Sequence, residues 1–189
     1  MSSVTNSPGT MADDATIGIL TWSNVDNAKV SDNTYATATM SYRGEVSEHN
    51  IMIVKSDGTI GTTNQTYGSE FSSVEGYYSY GSSFDLWGET WSYTDINDAD
   101  FGMVFSFEDT WLAKISHYLK ATNFGFSIPS GSTIDGIMAE VEISYFSDGP
   151  FGAADYFGVD HIRITVYYTE IGSSITGAQS ITGVGSITL

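Results

Sequence analysis

Histidine is the side chain best suited to proton transfer and metal binding near neutral pH, and this 189-residue chain has three of them. His49, His117 and His161 lie in three different segments, with no HxH or HExxH spacing to bring two ring nitrogens to one metal ion. Asp160 and His161 are adjacent, so on a regular strand they would point to opposite faces. No GxSxG motif marks a serine nucleophile. We therefore predict neither a catalytic residue nor a histidine metal site.

Two glutamates could supply a different chemistry, that of the paired carboxylates of a glycosidase. Glu140 and Glu142 are two residues apart on a predicted strand, so both lie on one face. A retaining glycosidase needs two carboxyl groups ~5–5.5 Å apart across the scissile bond. Carboxylates that point to solvent explain the same spacing in a chain with 23 acidic residues. The pair alone therefore does not indicate an enzyme, and we expect none.

An oxygen-rich segment is the candidate for metal binding. Asp95, Asn97, Asp98 and Asp100 offer hard oxygen ligands of the kind that Ca²⁺ prefers. The segment is not an EF-hand, because it has no glycine at the turn position and Ser106 stands where the bidentate glutamate would be. A looser calcium loop and ordinary turn and capping hydrogen bonds both fit these residues. Calcium is thus the one cofactor that the sequence suggests.

Aromatic side chains in a Gly-, Ser- and Asp-rich segment suggest a carbohydrate site. Their flat faces could stack on sugar rings, with Asp and Asn nearby to accept hydrogen bonds from hydroxyl groups. The candidates are Tyr77, Tyr78, Tyr80, Trp87 and Trp91. The alternative is that the two tryptophans and Leu86 close one end of a sheet core, as large rings beneath long loops often do.

The charge of the chain restricts its partners. Asp and Glu number 23 against 6 Lys and Arg, which gives a net charge of −17 and a pI near 4.1. A phosphate backbone would be repelled, so we expect no nucleic-acid partner. No segment approaches the ~18 consecutive apolar residues of a membrane helix and no signal-peptide pattern is visible, so we expect no membrane partner. With no cysteine, the chain has no disulfide or thiolate chemistry.

The apolar residues alternate with polar ones in a pattern that predicts an all-β fold. In the segment from Asp135 to Tyr145, every second residue from Ile137 to Ile143 is predicted to point inward. Glu140 and Glu142, which lie between them, are predicted to point outward. We predict further strands in the segments Tyr35–Arg43, Phe101–Phe107, Trp111–Lys120, Phe124–Ile128 and Val159–Thr169. Short strands with Gly-rich loops favour an antiparallel β-sandwich of jelly-roll type.

The chain divides into three parts. Residues 1–16 are polar and are predicted to be a flexible N-terminal arm, and residues 17–171 carry the strand patterns of the sandwich. Residues 172–189 repeat the triplet SIT every six residues. One isoleucine per repeat cannot build a core in a single chain, so we expect three chains to pool these side chains in a homotrimer. The oligomer contacts would be Ile175, Ile181 and Ile187, and a linker with chance periodicity is the alternative.

Five sequence blocks cover most of the predicted domain. They are NAKVSDNTYATA (27–38), YGSSFDLWGETW (80–91), DINDADFG (95–102), YLKATNFGFSIPSGSTIDGIMAEVEIS (118–144) and VDHIRITVYY (159–168). In combination they resemble a β-sandwich module that recurs in virion structural proteins of tailed bacteriophages. In that family the block like 118–144 directly follows the block like 27–38, whereas here the DLWG block lies between them. The resemblance implies a virion component without catalytic residues.

These features together lead to two functional hypotheses. The first is a non-enzymatic virion protein on the surface of the head or tail, which decorates or cements the head or forms part of a tail or fibre. Its partners would be further copies of the chain and other virion proteins such as the major capsid or tail proteins. The second is an adhesion module that recognises a host surface glycan through the aromatic segment.

Overall fold

The computed structural model of the chain describes residues 1–40, 46–68, 70–72, 74–147 and 155–171. These residues form two antiparallel sheets whose inner faces share one apolar core. The all-β fold with two antiparallel sheets, predicted from the alternation of apolar residues, is therefore confirmed.

The larger sheet has six strands and is organised around a long hairpin. Its strands are β1 (Ser2–Asn6), β3 (Trp22–Ser23), β4 (Ala36–Met40), β6 (Gly76–Ser82), β10 (Thr133–Ser147) and β11 (Asp155–Thr169). The hairpin strands β10 and β11 pair along their whole length. The other edge of β11 pairs with β4 near its beginning and with β1 near its end, while β6 pairs with the outer edge of β10.

The smaller sheet has five strands and packs against the first. Its strands are β2 (Thr10–Asp14), β5 (Val46–Val54), β7 (Gly102–Asp109), β8 (Lys114–Ile115) and β9 (Tyr118–Thr122). They follow the order β2-β9-β7-β5, and β8 pairs with the end of β7. The described residues contain two short helices, a 3-10 turn at Val25–Ala28 and α1 at Tyr93–Ile96. Within the described part of the chain, no helix is long and apolar enough to cross a membrane.

The core lies between the two sheets and is rich in aromatic rings. Phe107 of β7 and Phe157 of β11 approach to 4.5 Å between ring centroids, and Trp22 meets Phe107 edge-on at 5.5 Å. Across β10, the predicted inward residues Ile137, Ala139, Val141 and Ile143 are all fully buried. Each large apolar side chain buried in this way stabilises the fold by about 1.5–3 kcal/mol before conformational entropy is subtracted.

The N-terminal segment belongs to both sheets, so the prediction of a flexible arm over residues 1–16 is wrong for residues 2–14. β1 pairs with the end of β11, and β2 pairs with β9. Met11 is buried and Val4 packs against the core. The polar composition of the segment hid these strands, because their stability comes from backbone pairing and cross-strand contacts such as Thr5 with Thr165.

Of the predicted strands, one is only partly formed and another is not formed. The segment Trp111–Lys120 contains a turn over residues 110–113, where Trp111 is 73% exposed, and only then the strands β8 and β9. The segment Phe124–Ile128 has no strand pairing, although its three apolar side chains are buried. Alternation reports which side chains are buried, and a loop that crosses the end of a core produces the same pattern as a strand.

Candidate functional site

A polar cluster lies on the outer face of the larger sheet, where β6, β10 and β11 run side by side. Because Val141 is buried in the core, Glu140 and Glu142 point to the opposite face. The pairing register places Glu142 opposite both Tyr77 of β6 and His161 of β11. Cross-strand neighbours from three strands therefore meet at this position.

A β-bulge in β11 adds an aspartate to the cluster. The register of the hairpin shifts between Glu142, which faces His161, and Ile143, which faces Val159. The extra residue is Asp160, which is 1% exposed. A bulge bends the strand and re-aims the side chain. Asp160 therefore joins the same cluster as His161, whereas strict alternation had placed the two on opposite faces.

Three carboxylates converge beside the bulge. One oxygen from each of Glu75, Glu142 and Asp160 lies within 4.8 Å of the other two. Glu75 directly precedes β6, so the three side chains come from neighbouring parts of the sheet. At this separation two negative charges repel by about 3 kcal/mol at an effective dielectric constant of about 20. A bound cation or a shared proton would reduce the repulsion.

Hydrogen-bond donors from the loop before β4 hold two of these carboxylates. The hydroxyl of Tyr35 donates to Oε1 and Oε2 of Glu75 at 3.2 and 3.1 Å, and the amide of Asn33 donates to Oε2 at 3.3 Å. Burial raises the pKa of Tyr35, so its hydroxyl remains a donor. The backbone N–H of Asp32 donates to Oδ1 of Asp160 at 3.4 Å.

The carboxylate of Glu142 is incompletely partnered. Its Oε2 atom is buried and has no hydrogen-bond partner. Burial and the neighbouring Glu142 carboxylate raise the pKa of Tyr77. A buried polar atom without a partner costs about 1–3 kcal/mol, and more when the group is charged. A ligand or proton that reached this oxygen would therefore be strongly favoured.

His161 connects the cluster to the N-terminal segment. Its Nε2 atom lies 2.7 Å from Oγ of Ser7, and its Nδ1 atom lies 2.9 Å from Oη of Tyr77. Burial lowers the pKa of His161 and favours the neutral ring. One ring nitrogen then donates and the other accepts, and either hydroxyl can satisfy either role. The ring thus ties the connection between β1 and β2 to the face of the sheet.

The contact between Ser7 and His161 has the distance of a nucleophile and its base. In a Ser-His-Asp triad a carboxylate at the second ring nitrogen stabilises the imidazolium, but here that nitrogen meets the neutral hydroxyl of Tyr77. The residue after a nucleophilic serine often supplies an oxyanion N–H, and here it is Pro8, which has none. The pair therefore has neither a carboxylate at the second ring nitrogen nor an N–H donor directly after the serine, and a triad hydrolase uses both for acyl transfer.

Glu140 is neutralised by an arginine. Nε and Nη2 of Arg163 donate to its two carboxylate oxygens at 2.7 and 3.0 Å, and this pairing raises the pKa of Arg163. The guanidinium also lies 4.0 Å from the ring centre of Tyr77. Glu140 is 9% exposed, so the expectation that it points into solvent is wrong. A carboxylate held in this way is poorly suited to act as a glycosidase acid or nucleophile beside Glu142.

Two of the five aromatic candidates for glycan binding are core residues. Tyr80 and Trp87 are fully buried. Trp87 donates from Nε1 to the carbonyl of Ile137 at 2.9 Å, and Tyr80 donates from its hydroxyl to Oε1 of Glu48 at 2.9 Å. Neither ring has a face available to a sugar, so the glycan prediction is wrong for them. The alternative interpretation, in which Trp87 closes one end of the core, describes its position.

The remaining aromatic candidates are divided between the two faces of the sheet. Tyr78 and Trp91 are half-buried and pack against the core, and the Trp91 indole donates to the carbonyl of Leu86 at 2.9 Å. Tyr77 lies on the outer face beneath the guanidinium of Arg163. The five rings therefore do not form one platform, since neighbouring residues of β6 alternate between faces.

Local hydrogen bonds occupy the oxygen-rich segment at the end of α1. Ser92 donates to Asp95 from its backbone N–H and its hydroxyl at 2.8 and 2.6 Å, which caps the helix and lowers the pKa of Asp95. Asn97 exchanges two hydrogen bonds with the backbone of a neighbouring loop, and Asp98 accepts from the N–H of Asp100. Turn and capping interactions, the alternative to a calcium loop, account for these residues.

The other two histidines also make hydrogen bonds to side chains. Nδ1 of His117 lies 3.0 Å from both carboxylate oxygens of Asp13, and Nδ1 of His49 lies 3.0 Å from Oγ of Ser106.

The predicted trimer contacts lie outside the described residues and stay a prediction; they are Ile175, Ile181 and Ile187.

Sequence reasoning missed two members of the carboxylate group, Glu75 and Asp160. The inward residues Val159 and Ile162 are three positions apart instead of two, and this break in alternation signals a bulge at Asp160. Glu75 has no comparable signal, because the strand that follows it is rich in Gly, Ser and Tyr and alternates weakly.

A comparison of the chain with protein-family models, with curated proteins and with solved structures finds no match. The sequence and the contacts described above are therefore the basis for any function assigned to it.

Proposed function

We propose that the chain is a non-enzymatic structural protein of a bacteriophage virion and that it works as a homo-oligomer, most simply a homotrimer. In this role it decorates or cements the head, or forms part of a tail or fibre, on the virion surface. Its neighbours would be the major capsid or tail proteins. The observation that carries the proposal is the position at which the repeat segment joins the fold.

The repeat segment, residues 172–189, follows β11, which is a central strand of the larger sheet. Hydrogen bonds to β10 run along one edge of β11, and hydrogen bonds to β1 and β4 run along the other. A force applied to the segment is therefore distributed over many backbone hydrogen bonds that must break together. This attachment suits a segment through which subunits hold one another in an assembly.

The polar groups on the outer face of the sheet favour a structural role over a catalytic one. Glu140 is neutralised by Arg163, and the Ser7–His161 pair has a tyrosine and a proline where a triad hydrolase would have a carboxylate and an N–H donor. These contacts fix strands and loops in place, which is what a particle component requires.

A jelly-roll topology is part of this proposal. The chain changes sheet repeatedly, from β1 to β2, from β2 to β3, from β4 to β5, from β5 to β6, from β6 to β7 and from β9 to β10. Frequent crossing between two antiparallel sheets is typical of jelly rolls, an architecture that viral capsid and lectin domains use. The buried positions of Tyr80 and Trp87 make the glycan-binding alternative less favoured.

The mass of the protein in solution tests the proposal. Light scattering should give a mass near three times 20.4 kDa for the full chain and a mass near that of one subunit for a chain that ends at Ile171. Circular dichroism should show the same β-sheet spectrum for both proteins, since all the described strands and core residues precede the repeats.

Substitutions within the repeats provide a matched control. Replacing Ile175, Ile181 and Ile187 together by serine should give a monomer, whereas replacing Thr176, Thr182 and Thr188 together by serine should leave the oligomer intact. A full-length monomer, or an oligomer that survives removal of residues 172–189, would contradict the assembly role of the repeats.

A further inference from the structure

We propose that Glu75, Glu142 and Asp160 form a binding site for one calcium ion, which fastens the edge of the larger sheet to its central hairpin. The site differs from the segment Asp95–Asp100, where Asp95 accepts hydrogen bonds in a helix cap and Asp98 accepts one in a turn. It is independent of the virion role, because it concerns how the fold is held together.

These carboxylates bring together three acidic groups that no cation of the described protein neutralises. Basic side chains near the site already form ion pairs with other carboxylates. Arg163 pairs with Glu140, and Nζ of Lys29 lies 2.7 Å from Oδ1 of Asp26. Arg43 lies outside the described residues. The remaining basic residues belong to the smaller sheet or directly adjoin its strands, and they are Lys55, Lys114 and Lys120. Among the described residues, no basic side chain pairs with this group.

Independently of their charge, two of these carboxylates have unused hydrogen-bonding capacity. Oε2 of Glu142 is buried and has no partner. Asp160, which is 1% exposed, accepts a single backbone hydrogen bond at the long distance of 3.4 Å. An ionised carboxylate has about four lone-pair sites, so the buried Oε2 atom of Glu142 and the carboxylate of Asp160 keep unused acceptor capacity. A hard cation is the ligand that uses several carboxylate oxygens at once.

The carboxylate ligands suit calcium better than magnesium. Ca²⁺ takes about six to eight oxygen ligands in a flexible geometry, whereas Mg²⁺ demands near-ideal octahedral geometry and usually keeps several waters beside one or two carboxylates. The three carboxylate oxygens lie within 4.8 Å of one another. Three carboxylates supply up to six oxygens, and Glu75 is only half-buried, so one ligand of the site borders solvent.

Neighbouring side chains already orient the ligands. The side chains of Tyr35 and Asn33 donate to Glu75, and the backbone N–H of Asp32 donates to Asp160. Such outer contacts pre-position metal ligands and are a regular part of metal sites. Because all three donors lie in the loop before β4, the ion would join that loop, the start of β6 and the hairpin in one cluster. Binding to the folded state alone stabilises the fold by mass action.

Calorimetry and thermal unfolding of the full chain test the proposal. After the protein is stripped with EDTA, titration with CaCl₂ should show one site per chain. About 1 mM CaCl₂ should raise the unfolding temperature by several degrees over NaCl of equal ionic strength. Glu142→Gln should weaken Ca²⁺ binding about tenfold or more, since fewer charged ligands remain. Without calcium this variant should unfold at or above the wild-type temperature, because a repulsive charge is gone.

Two further variants make the outcome decisive. Asp160→Asn should also weaken Ca²⁺ binding, and Asp98→Asn, a matched loss of one charge in the segment after α1, should leave binding unchanged. Absence of Ca²⁺ binding by the wild type, or binding that survives Glu142→Gln and Asp160→Asn, would overturn the proposal. Binding that is lost in Asp98→Asn would place the ion in the other segment. Equal affinity for MgCl₂ would overturn the assignment to calcium.

Discussion

At the scale of single residues, the position of Trp87 is set by neighbours in its own segment and by one contact with the distant strand β10. Its backbone has a φ of 57°, its N–H donates to Asp85 and its indole N–H donates to the carbonyl of Ile137. Gly81 leaves room for the ring, since an added Cβ there would lie 2.7 Å from the indole nitrogen. A tryptophan in a Gly- and Asp-rich loop could as well face solvent, so the sequence left its role open between glycan binding and the core.

Replacing Trp87 by alanine should lower the free energy of unfolding by about 3–5 kcal/mol, because a fully buried ring and its hydrogen bond are lost. Urea denaturation followed by circular dichroism measures the change. Trp111→Ala provides the control: that ring is 73% exposed, so its loss should alter stability by less than about 0.5 kcal/mol. Similar values for the two variants would show that Trp87 does not close the core.

At the scale of elements, the inner faces of β10 and β11 follow from the sequence and the details of their outer face do not. Alternation predicted the buried residues of β10 because every second side chain of a regular strand points toward the core. The bulge at Asp160 breaks that rule, and Glu75 joins the carboxylates only through pairing of β6 with β10. Contacts between strands depend on the pairing register, and the sequence pattern of a single strand does not determine that register.

At Gly102, the two central strands of the smaller sheet, β7 and β9, approach each other closely. An added Cβ would lie 1.9 Å from the carbonyl oxygen of Ala121 in β9, so Gly102→Ala must push β7 and β9 apart. We expect a loss of about 1–3 kcal/mol or more in the free energy of unfolding. Gly76→Ala, at the start of β6 with open space around it, should be neutral or slightly stabilising. Equal effects in denaturant unfolding would contradict this account of β7.

At the scale of the whole molecule, sheet membership of the N-terminal segment was the largest error of the sequence-based prediction. Composition separates segments that can form a core from those that cannot, and residues 2–14 contribute little core of their own. They are ordered because β11 and β9 offer free edges for pairing. The larger sheet and the smaller sheet are each completed by a strand whose partner lies more than a hundred residues away.

Because the net charge is −17, we expect salt to raise the unfolding temperature of the protein. Self-repulsion destabilises the compact state, and raising NaCl from about 20 mM to about 0.5 M shortens the Debye length from about 20 Å to about 4 Å. The unfolding temperature in EDTA should therefore rise with salt by a few degrees. Near the pI of 4.1 the net charge vanishes, so the salt effect should vanish as well. If salt instead lowered the unfolding temperature at pH 7, ion pairs such as Arg163–Glu140 would outweigh the repulsion of the whole surface.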